Sequence, residues 1–268
     1  MQLFTSYFLQ LLLLGPHRPA PICLHLFMKG MGFLALVTAL LALVFQTSTG
    51  QQIILEIRDT SNEDVQEEIV NTLNQLRRSV NPQAQNMLKL RWSDDAAAVA
   101  LVWIRKCHFG HHPVRMRPVN ATLCSELLYK TYIPHEWTTV IDEWFNQKDN
   151  FTYGVGEQFN NAQVGDYTQM VWALSHQVGC HVAFCGTDFM YSCSFCPAGN
   201  DHKRMASPYE AGKPCGRCPN YCDDGLCTNP CIYKDNYVNC EELKHGCHTD
   251  PIIKDGCKAT CKCTTEIK

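Results

Sequence analysis

Apolar side chains recur at helical spacing soon after residue 60 of this 268-residue chain. Five of them are separated by four, four, three and four positions and therefore share one face of an α-helix: Val65, Ile69, Leu73, Leu76 and Val80. The segment Ser61-Asn62-Glu63-Asp64 before them is typical of a capping box, and Asn81-Pro82 after them predicts the end of the helix.

Two more helices are predicted downstream, on either side of a loop. Ser93 is expected to cap a second helix that ends at about Cys107 and carries Ala96, Val99, Val102 and Trp103 on its apolar side. The stretch 108–120, rich in His, Arg and Pro, predicts a loop. A third helix is predicted from Thr138 to Gln147, with Val140, Ile141 and Trp144 buried.

A β-hairpin is predicted between residues 178 and 196. From Val178 to Cys185, larger apolar or thiol side chains alternate with smaller or polar ones, which is the period-two pattern of a half-buried strand. Gly186-Thr187-Asp188 fits a tight turn, and Phe189 to Cys196 is the returning strand. Three helices packed on a short antiparallel sheet make an α+β layered domain, and about 150 residues suffice to bury its core.

The N-terminus contains two apolar runs, Leu3–Leu14 and Gly32–Phe45. The second has the features of a signal peptide, because Met28-Lys29 supplies a start and a positive charge and the small residues Ser48 and Gly50 fit a cleavage site. Neither run reaches the roughly 20 residues that span a bilayer. We therefore expect residues 1–50 to be an N-terminal extension with a signal peptide at 28–50, no transmembrane segment, and a secreted, extracellular product.

Cysteine usage supports the same compartment. The chain has 17 cysteines, ten of which lie between Cys215 and Cys263, and 16 remain once residues 1–50 are removed. An even number at this density indicates a disulfide scaffold formed outside the reducing cytosol. The alternative is that the Cys-x-x-Cys pairs Cys193/Cys196 and Cys215/Cys218 are zinc knuckles.

Surface chemistry narrows the class of partner. Without residues 1–50 the chain has 21 basic and 26 acidic residues, a net charge of −5, and it shows no basic cluster. This balance argues against nucleic acid as a partner. Asn120 and Asn150 begin Asn-x-Thr triplets and are candidate glycosylation sites in a secreted protein.

Two motifs carry a resemblance to a known family. The first is Gly-Asp-Tyr-Thr-Gln-Met-Val-Trp at 165–172, followed by Gly179-Cys180, and the second is Ser-Cys-Ser-Phe-Cys-Pro-Ala-Gly-Asn at 192–200. Both resemble the signatures of the CAP superfamily, and the cysteine-packed C-terminus makes the chain similar to the cysteine-rich secretory proteins. The closing segments 257–263 and Glu266-Ile267-Lys268 most resemble the mammalian epididymal, sperm-associated members.

The resemblance implies a domain organisation and a disulfide pattern. It implies an α-β-α sandwich CAP domain at 51–205, a disulfide-rich hinge at 206–230 and a toxin-like, ion-channel-regulator-like cysteine-rich domain at 231–268; we call the last segment the tail. The pairs that it implies are Cys107–Cys185, Cys124–Cys196, Cys180–Cys193, Cys215–Cys222, Cys218–Cys227, Cys231–Cys263, Cys240–Cys257 and Cys247–Cys261.

The resemblance also implies a polar cleft in which two histidines and two glutamates hold zinc. His111 and Glu126 match that set, but Gln147 replaces a glutamate and Asp166 replaces a histidine. His111, Glu126 and Asp166 with a neutral amide form an oxygen-biased set, so we expect no required cofactor and only weak binding of a divalent metal. Glutamine cannot act as a general base, which predicts no enzymatic activity. The alternative is that the four residues form a hydrogen-bonded polar network beneath a loop.

The tail carries the second candidate surface. Its six cysteines resemble those of small sea-anemone potassium-channel toxins, but Pro251 and Ile252 stand where the toxins have a pore-plugging Lys-Tyr pair. Pro251, Ile252 and Ile253 therefore form either an exposed apolar contact tip or part of the small core of the tail.

The resemblance, together with the substitutions in the cleft, implies a secreted, non-enzymatic binding protein of the male reproductive tract. The partners that the resemblance implies are the sperm surface and an ion channel or egg-surface protein. The alternatives are sterol or lipid carriage by the CAP domain and, less favoured, metal-assisted hydrolysis in the cleft.

Overall fold

Residues 36–42, 59–111, 118–119 and 122–268 are described in the computed structural model of the chain. The chain divides into two units, Met1–Ile53 and Ile54–Lys268, and residues 36–42 of the first form a short helix. None of the helices in these ranges combines the length and the apolar character needed to cross a membrane. Most of the predicted signal peptide, its cleavage site and Asn120 lie outside the described residues.

The second unit is built from short strands and helices. The strands are β1 Arg91–Trp92, β2 Pro118–Val119, β3 Thr122–Leu123, β4 Ser125–Thr131, β5 Phe151–Thr152, β6 Gly156–Glu157, β7 Gln177–Cys185, β8 Asp188–Cys196, β9 Cys222–Asp223 and β10 Leu226–Cys227. The helices are α1 Glu63–Arg78, α2 Asp94–Ile104, α3 Trp137–Phe145, α4 Gly165–Met170, α5 Pro251–Gly256 and α6 Lys258–Lys262, with 3₁₀ turns at Asn146–Asn150 and Lys244–His248.

A four-stranded sheet in the order β1-β7-β8-β4 forms the middle layer. The pair β1/β7 is parallel, while β7/β8 and β8/β4 are antiparallel. The hairpin predicted at 178–196 is confirmed, with Cys180 opposite Cys193 in its register. Residues 189–196 of β8 are buried on both faces because helices cover the sheet on both sides. The layers are those of the predicted α-β-α sandwich.

Helix α1 confirms the predicted apolar face at Val65, Ile69 and Leu73. It begins one residue later than the capping box suggested and ends at Arg78, before Val80. Asn62, not Ser61, is the cap, and its side-chain oxygen accepts a hydrogen bond of 2.9 Å from the Asp64 N–H. Ile69 and Leu73 are fully buried against the sheet and α3. Each such side chain contributes about 1.5–3 kcal/mol to folding.

Helix α2 covers the other face of the sheet, and the apolar side predicted for it was right at Ala96 but wrong at Val102. Ser93 does cap the helix, accepting from the Ala96 N–H at 3.3 Å, but the buried residues are Ala96, Ala100 and Ile104, while Val102 is 56% exposed. Small residues at a spacing of four let the helix backbone lie directly on Gly179 of β7. The helix ends at Ile104, and Cys107 follows it with a φ of 52°.

Helix α3 buries the three predicted residues, Val140, Ile141 and Trp144. It is shorter than the predicted 138–147 at its C-terminal end, because the chain tightens into a 3₁₀ turn after Phe145 that carries Gln147. The Trp144 indole N–H donates to the Leu128 carbonyl of β4 at 3.1 Å, which fixes α3 and the turn against the edge of the sheet.

The hinge packs into the main core. Tyr209 and Leu226 are each 1% exposed and belong to the same hydrophobic cluster as Ile69 and Leu73. The Lys89 N–H donates to the Cys227 carbonyl, and the Cys227 N–H donates to the Met87 carbonyl, both at 2.8 Å. The hinge is therefore held by side-chain packing and by backbone hydrogen bonds.

Candidate functional site

The structure brings His111, Glu126, Gln147 and Asp166 together around one cavity of about 340 Å³. Glu126 comes from β4, Gln147 from the 3₁₀ turn after α3, and Asp166 from the first turn of α4. His111 ends the described range 59–111, and its side chain is 63% exposed, whereas that of Glu126 is 1% exposed. The cleft thus has a buried carboxylate at its base and an imidazole at its mouth.

Gln147 and Asp166 bind each other in both directions. The Gln147 Nε2 donates to Asp166 Oδ2 at 2.7 Å, and the Asp166 backbone N–H donates to Gln147 Oε1 at 2.8 Å. The backbone N–H can only donate, so the amide oxygen must face it, and this fixes the orientation of the amide. Burial raises the pKa of Asp166, although His111 and the hydrogen bond from Gln147 oppose the shift.

His111 and Glu126 form the second pair of the cleft. The His111 Nδ1 lies 3.9 Å from Glu126 Oε2, which is within ion-pair range but too long for a hydrogen bond. On the other side of the carboxylate, the Ser192 hydroxyl donates to Glu126 Oε1 at 3.5 Å. The carboxylate lies between the serine and the imidazole, so it cannot orient the imidazole to activate that serine.

Among the described residues, the four cleft residues do not form one of the groups whose metal-capable atoms lie close together. Within the described part of the chain, the group with three metal-capable atoms inside 4.8 Å is Asp235, Cys240 and Cys257, and a disulfide joins those two cysteines. In the cleft, Gln147 already occupies one oxygen of Asp166, and structural zinc prefers thiolate and imidazole ligands. Weak binding of a divalent metal by His111, Glu126 and Asp166 stays a prediction.

A polar network beneath the cleft was missed from the sequence. Gln169 is fully buried; its Oε1 accepts from the Gly199 N–H at 2.8 Å, and its Nε2 donates to the Ser175 hydroxyl at 3.0 Å. Asn200 accepts from the Thr168 hydroxyl at 2.8 Å. These bonds join the motif at 165–172 to the end of the motif at 192–200, so the two motifs hold the wall of the cleft together.

Eight disulfides join the 16 cysteines after residue 50. They are Cys107–Cys185, Cys124–Cys196, Cys180–Cys193, Cys215–Cys222, Cys218–Cys227, Cys231–Cys263, Cys240–Cys257 and Cys247–Cys261. They are the same pairs that the resemblance implies. Because both Cys-x-x-Cys segments are fully paired, they offer no thiolates for the zinc knuckles considered as an alternative.

The segment Pro251-Ile252-Ile253 is the first turn of helix α5. Asp250 caps this turn, accepting from the Ile252 N–H at 2.8 Å. Pro251 is exposed and Ile252 is 69% exposed, whereas Ile253 is half-buried and packs over Gly246. The segment thus divides between an exposed tip and the small core of the tail.

Asn150, the candidate glycosylation site within the described residues, closes the 3₁₀ turn after α3. It is half-buried, and its Nδ2 donates to the Gln163 carbonyl at 3.3 Å. A glycan on this nitrogen would stand beside the opening of the cleft, because Gln163 lines the cavity.

Comparison with known proteins matches two separate stretches of the chain to family models. The model of the CAP family, described as the cysteine-rich secretory protein family, matches residues 70–195, and the Crisp model matches residues 215–268. Among solved structures, Na-ASP-1 aligns with a TM-score of 0.54 at 26% identity over 62% of this chain and 47% of that one. NaASP2 with Zn²⁺ aligns with a TM-score of 0.51 at 25% identity, over 62% and 96%.

Curated relatives align with most of the chain. Cysteine-rich secretory protein 3 of Homo sapiens is 44% identical over 213 residues, which are 78% of this chain and 86% of that protein. Cysteine-rich secretory protein 2 of Cavia porcellus is 43% identical over 213 residues, which are 78% of this chain and 87% of the relative. The layered fold, the paired cysteines and this similarity lead to one conclusion: the chain belongs to the cysteine-rich secretory protein family.

Proposed function

We propose that this chain is a secreted, non-enzymatic binding protein of the male reproductive tract. It associates with sperm, and its tail modulates an ion channel or engages an egg-surface protein. The observation that carries the proposal is the membership of the chain in the cysteine-rich secretory protein family, supported by eight disulfides that suit an extracellular setting.

The chemistry of the cleft favours binding over catalysis. Gln147 is a neutral amide that cannot accept a proton, and it is engaged on both sides by Asp166. The remaining pair, His111 and Glu126, has Ser192 on the far side of the carboxylate, which is the wrong order for activating a nucleophile.

The exposed first turn of α5 supports a contact role for the tail. Ile252 extends into solvent from a turn that is held by the Asp250 cap and by the packing of Ile253 against Gly246. A rigid aliphatic side chain loses little entropy on binding, so this tip suits a pocket on a partner protein.

The test is saturable binding of the labelled protein, residues 51–268, to living sperm and to unrelated epithelial cells, with calcium currents recorded from the same sperm. We expect binding to sperm and a change in current. Ile252→Asp should weaken both by about fivefold or more, since a buried anchor is worth more than 1 kcal/mol.

The matched control is Val155→Asp, because Val155 is as exposed as Ile252 (71% against 69%) but lies between β5 and β6. It should bind like the unaltered protein. Equal binding to both cell types would overturn the proposal. If the Ile252→Asp variant bound sperm and changed the current as the unaltered protein does, Ile252 would not be part of the contact surface.

A further inference from the structure

A second cavity lies where the tail meets the rest of the second unit. It is a groove of about 430 Å³, lined from one side by residues such as Trp172, Leu174 and His176 and from the other by Tyr233, Tyr237 and Val238. It is separate from the polar cleft that holds Glu126 and Asp166. Its volume is that of a small-molecule site.

The floor of the groove is held by a buried guanidinium. Arg77 is 1% exposed and donates to the carbonyls of Met170, Trp172, Ala173 and Ser175, at 2.6–3.3 Å. Two further hydrogen bonds from Arg77 reach the carbonyl of Leu88, which also lines the groove. The backbone from Met170 to Ser175 is therefore fixed before any ligand binds, which lowers the entropy cost of binding.

The opposite wall is fixed by covalent and backbone links. Cys231 is bridged to Cys263, and the Cys231 N–H donates to the Ile267 carbonyl at 2.9 Å. The Tyr237 ring packs against Gly256, where a Cβ would lie only 2.1 Å from the ring. Val238 is fully exposed on this wall, so it is free to contact a ligand.

The charges of the groove are largely satisfied within the protein. Asp235 accepts from the backbone N–H and the hydroxyl of Thr260, at 3.0 and 2.7 Å. Glu241 accepts from Lys268 at 3.1 Å. The remaining charge in the lining, Lys234, is exposed to solvent. Because both acids are already hydrogen-bonded within the protein, a neutral occupant suits the groove better than an ion.

His176 supplies a hydrogen-bond acceptor. Its Nδ1 lies 3.1 Å from the Leu174 carbonyl, and a carbonyl can only accept, so Nδ1 carries the proton of the neutral ring and Nε2 is the acceptor. Burial lowers the pKa of His176, which keeps the ring neutral at pH 7.

We propose that this groove binds a small, neutral, largely apolar molecule that donates one hydrogen bond to His176. The rigid apolar floor, the tyrosine and valine wall, the hydrogen-bonded acids and the acceptor on His176 favour that chemistry. The site is independent of the tip at Ile252, so it stands or falls separately from the proposed function.

The test uses indole and 1-methylindole, which differ in the ring N–H donor, added to the protein with residues 51–268. Binding is followed by ¹H–¹⁵N NMR, at the Trp172 indole N–H and at the backbone amides of His176 and Tyr237. Indole should bind about five- to tenfold tighter than 1-methylindole, which is the contribution of one hydrogen bond.

Two variants and a control locate the site. His176→Asn keeps a donor for the Leu174 carbonyl but removes the Nε2 acceptor, so the preference for indole should vanish. Val238→Asp should weaken the binding of both probes. Val155 is also an exposed valine but lies outside the groove, so Val155→Asp should weaken the binding of neither. Equal affinity of the two probes for the unaltered protein, or binding unchanged by both groove variants, would overturn the proposal.

Discussion

At the scale of single residues, Arg77 is a cation buried in the core. A buried cation is costly unless its donors are satisfied, and here backbone carbonyls alone satisfy them instead of a carboxylate. Burial lowers the pKa of Arg77 to about 9, so the side chain remains protonated at pH 7. Through these hydrogen bonds, the Arg77 side chain joins α1 to the end of α4 and the loop after it.

Replacing Arg77 with methionine should therefore destabilise the fold strongly. The change keeps an unbranched, largely apolar side chain but removes the guanidinium, so several buried carbonyls lose their donors at about 1–3 kcal/mol each. We therefore expect a total loss of about 3 kcal/mol or more. Arg78→Met is the control, because the neighbouring guanidinium is partly exposed and pairs with the exposed Asp224, a contact worth about 1 kcal/mol or less. Denaturant melts of both variants measure the difference; equal losses would contradict this account of Arg77.

The cleft makes a second prediction at this scale, concerning metal. Calorimetric titration of the metal-stripped protein should show zinc affinity weaker than micromolar, because Gln147 occupies the Asp166 carboxylate. The double variant Gln147→Glu/Asp166→His supplies a second carboxylate and a second imidazole, and it should bind zinc at least about tenfold tighter. Sub-micromolar zinc binding by the unaltered protein, abolished by His111→Ala, would show that the cleft is a metal site after all.

The raised pKa of Asp166 gives a prediction about pH. A carboxyl group whose pKa is higher in the folded than in the unfolded state costs stability when ionised, and the cost disappears as pH falls through the folded pKa. Asp166→Asn keeps an oxygen that can accept from Gln147 but removes the charge. The variant should melt at a higher temperature at pH 7, and its advantage should shrink as pH falls towards about 4. A variant that is less stable at pH 7 would show that the charge itself stabilises the cleft.

At the scale of elements, α2 packs closely on β7. A Cβ on Gly179 would lie 2.0 Å from the Ala97 nitrogen and 2.5 Å from the Ser93 carbonyl oxygen, both backbone atoms of the first turn of α2. Gly179→Ala must therefore push the whole helix away, at a cost of about 3 kcal/mol or more.

Gly165→Ala is the control for that substitution, since the nearest atom to its Cβ would be the Asn200 Nδ2 at 3.9 Å. It should change the unfolding midpoint little. If Gly179→Ala were equally mild, α2 would have to be free to move on the sheet, contrary to the contact seen here.

The same contact shows what the sequence can and cannot predict about an element. Periodicity identified α1 and α3 and most of their buried apolar residues, because large apolar side chains define those faces. In α2 the large residues Val102 and Trp103 led to the wrong prediction of the buried face. The face that packs on the sheet is set by the small side chains of Ala96 and Ala100, which lie against Gly179, 79 positions after Ala100. A packing partner so far along the chain leaves no pattern in the sequence of the helix itself.

In the candidate site, too, some features could be predicted from the sequence and others could not. His111, Glu126, Gln147 and Asp166 were predicted together through a resemblance between motifs, and the structure places them around one cavity. The hydrogen bonds of Gln169 and Asn200 span about thirty residues and depend on the close approach of two loops, so spacing alone could not predict them. The exposure of Ile252 and the burial of Ile253 likewise follow from tertiary packing.

At the scale of the whole molecule, covalent and noncovalent links are arranged in different places. Three disulfides lie entirely before residue 197 and five lie entirely after residue 214, so none crosses the segment between them. Across that segment, the hinge is held to the sandwich by burial of Tyr209 and Leu226 and by backbone bonds at Met87 and Lys89. Each fully buried side chain of this size contributes about 2–3 kcal/mol.

This arrangement predicts the outcome of a single cut in the exposed turn 201–204, made through an inserted site for a specific protease. In native buffer the two pieces should elute as one species, because the hinge remains buried in the core. In denaturant without reductant they should separate completely, since no disulfide joins them.

A matched cut in the exposed turn at Gly186-Thr187 should behave differently, because Cys180–Cys193 and Cys124–Cys196 bridge it and hold the pieces together until they are reduced. Pieces from the first cut that separate in native buffer would show that the hinge is only loosely attached, and pieces that stay joined in denaturant would mean that the cysteines pair differently.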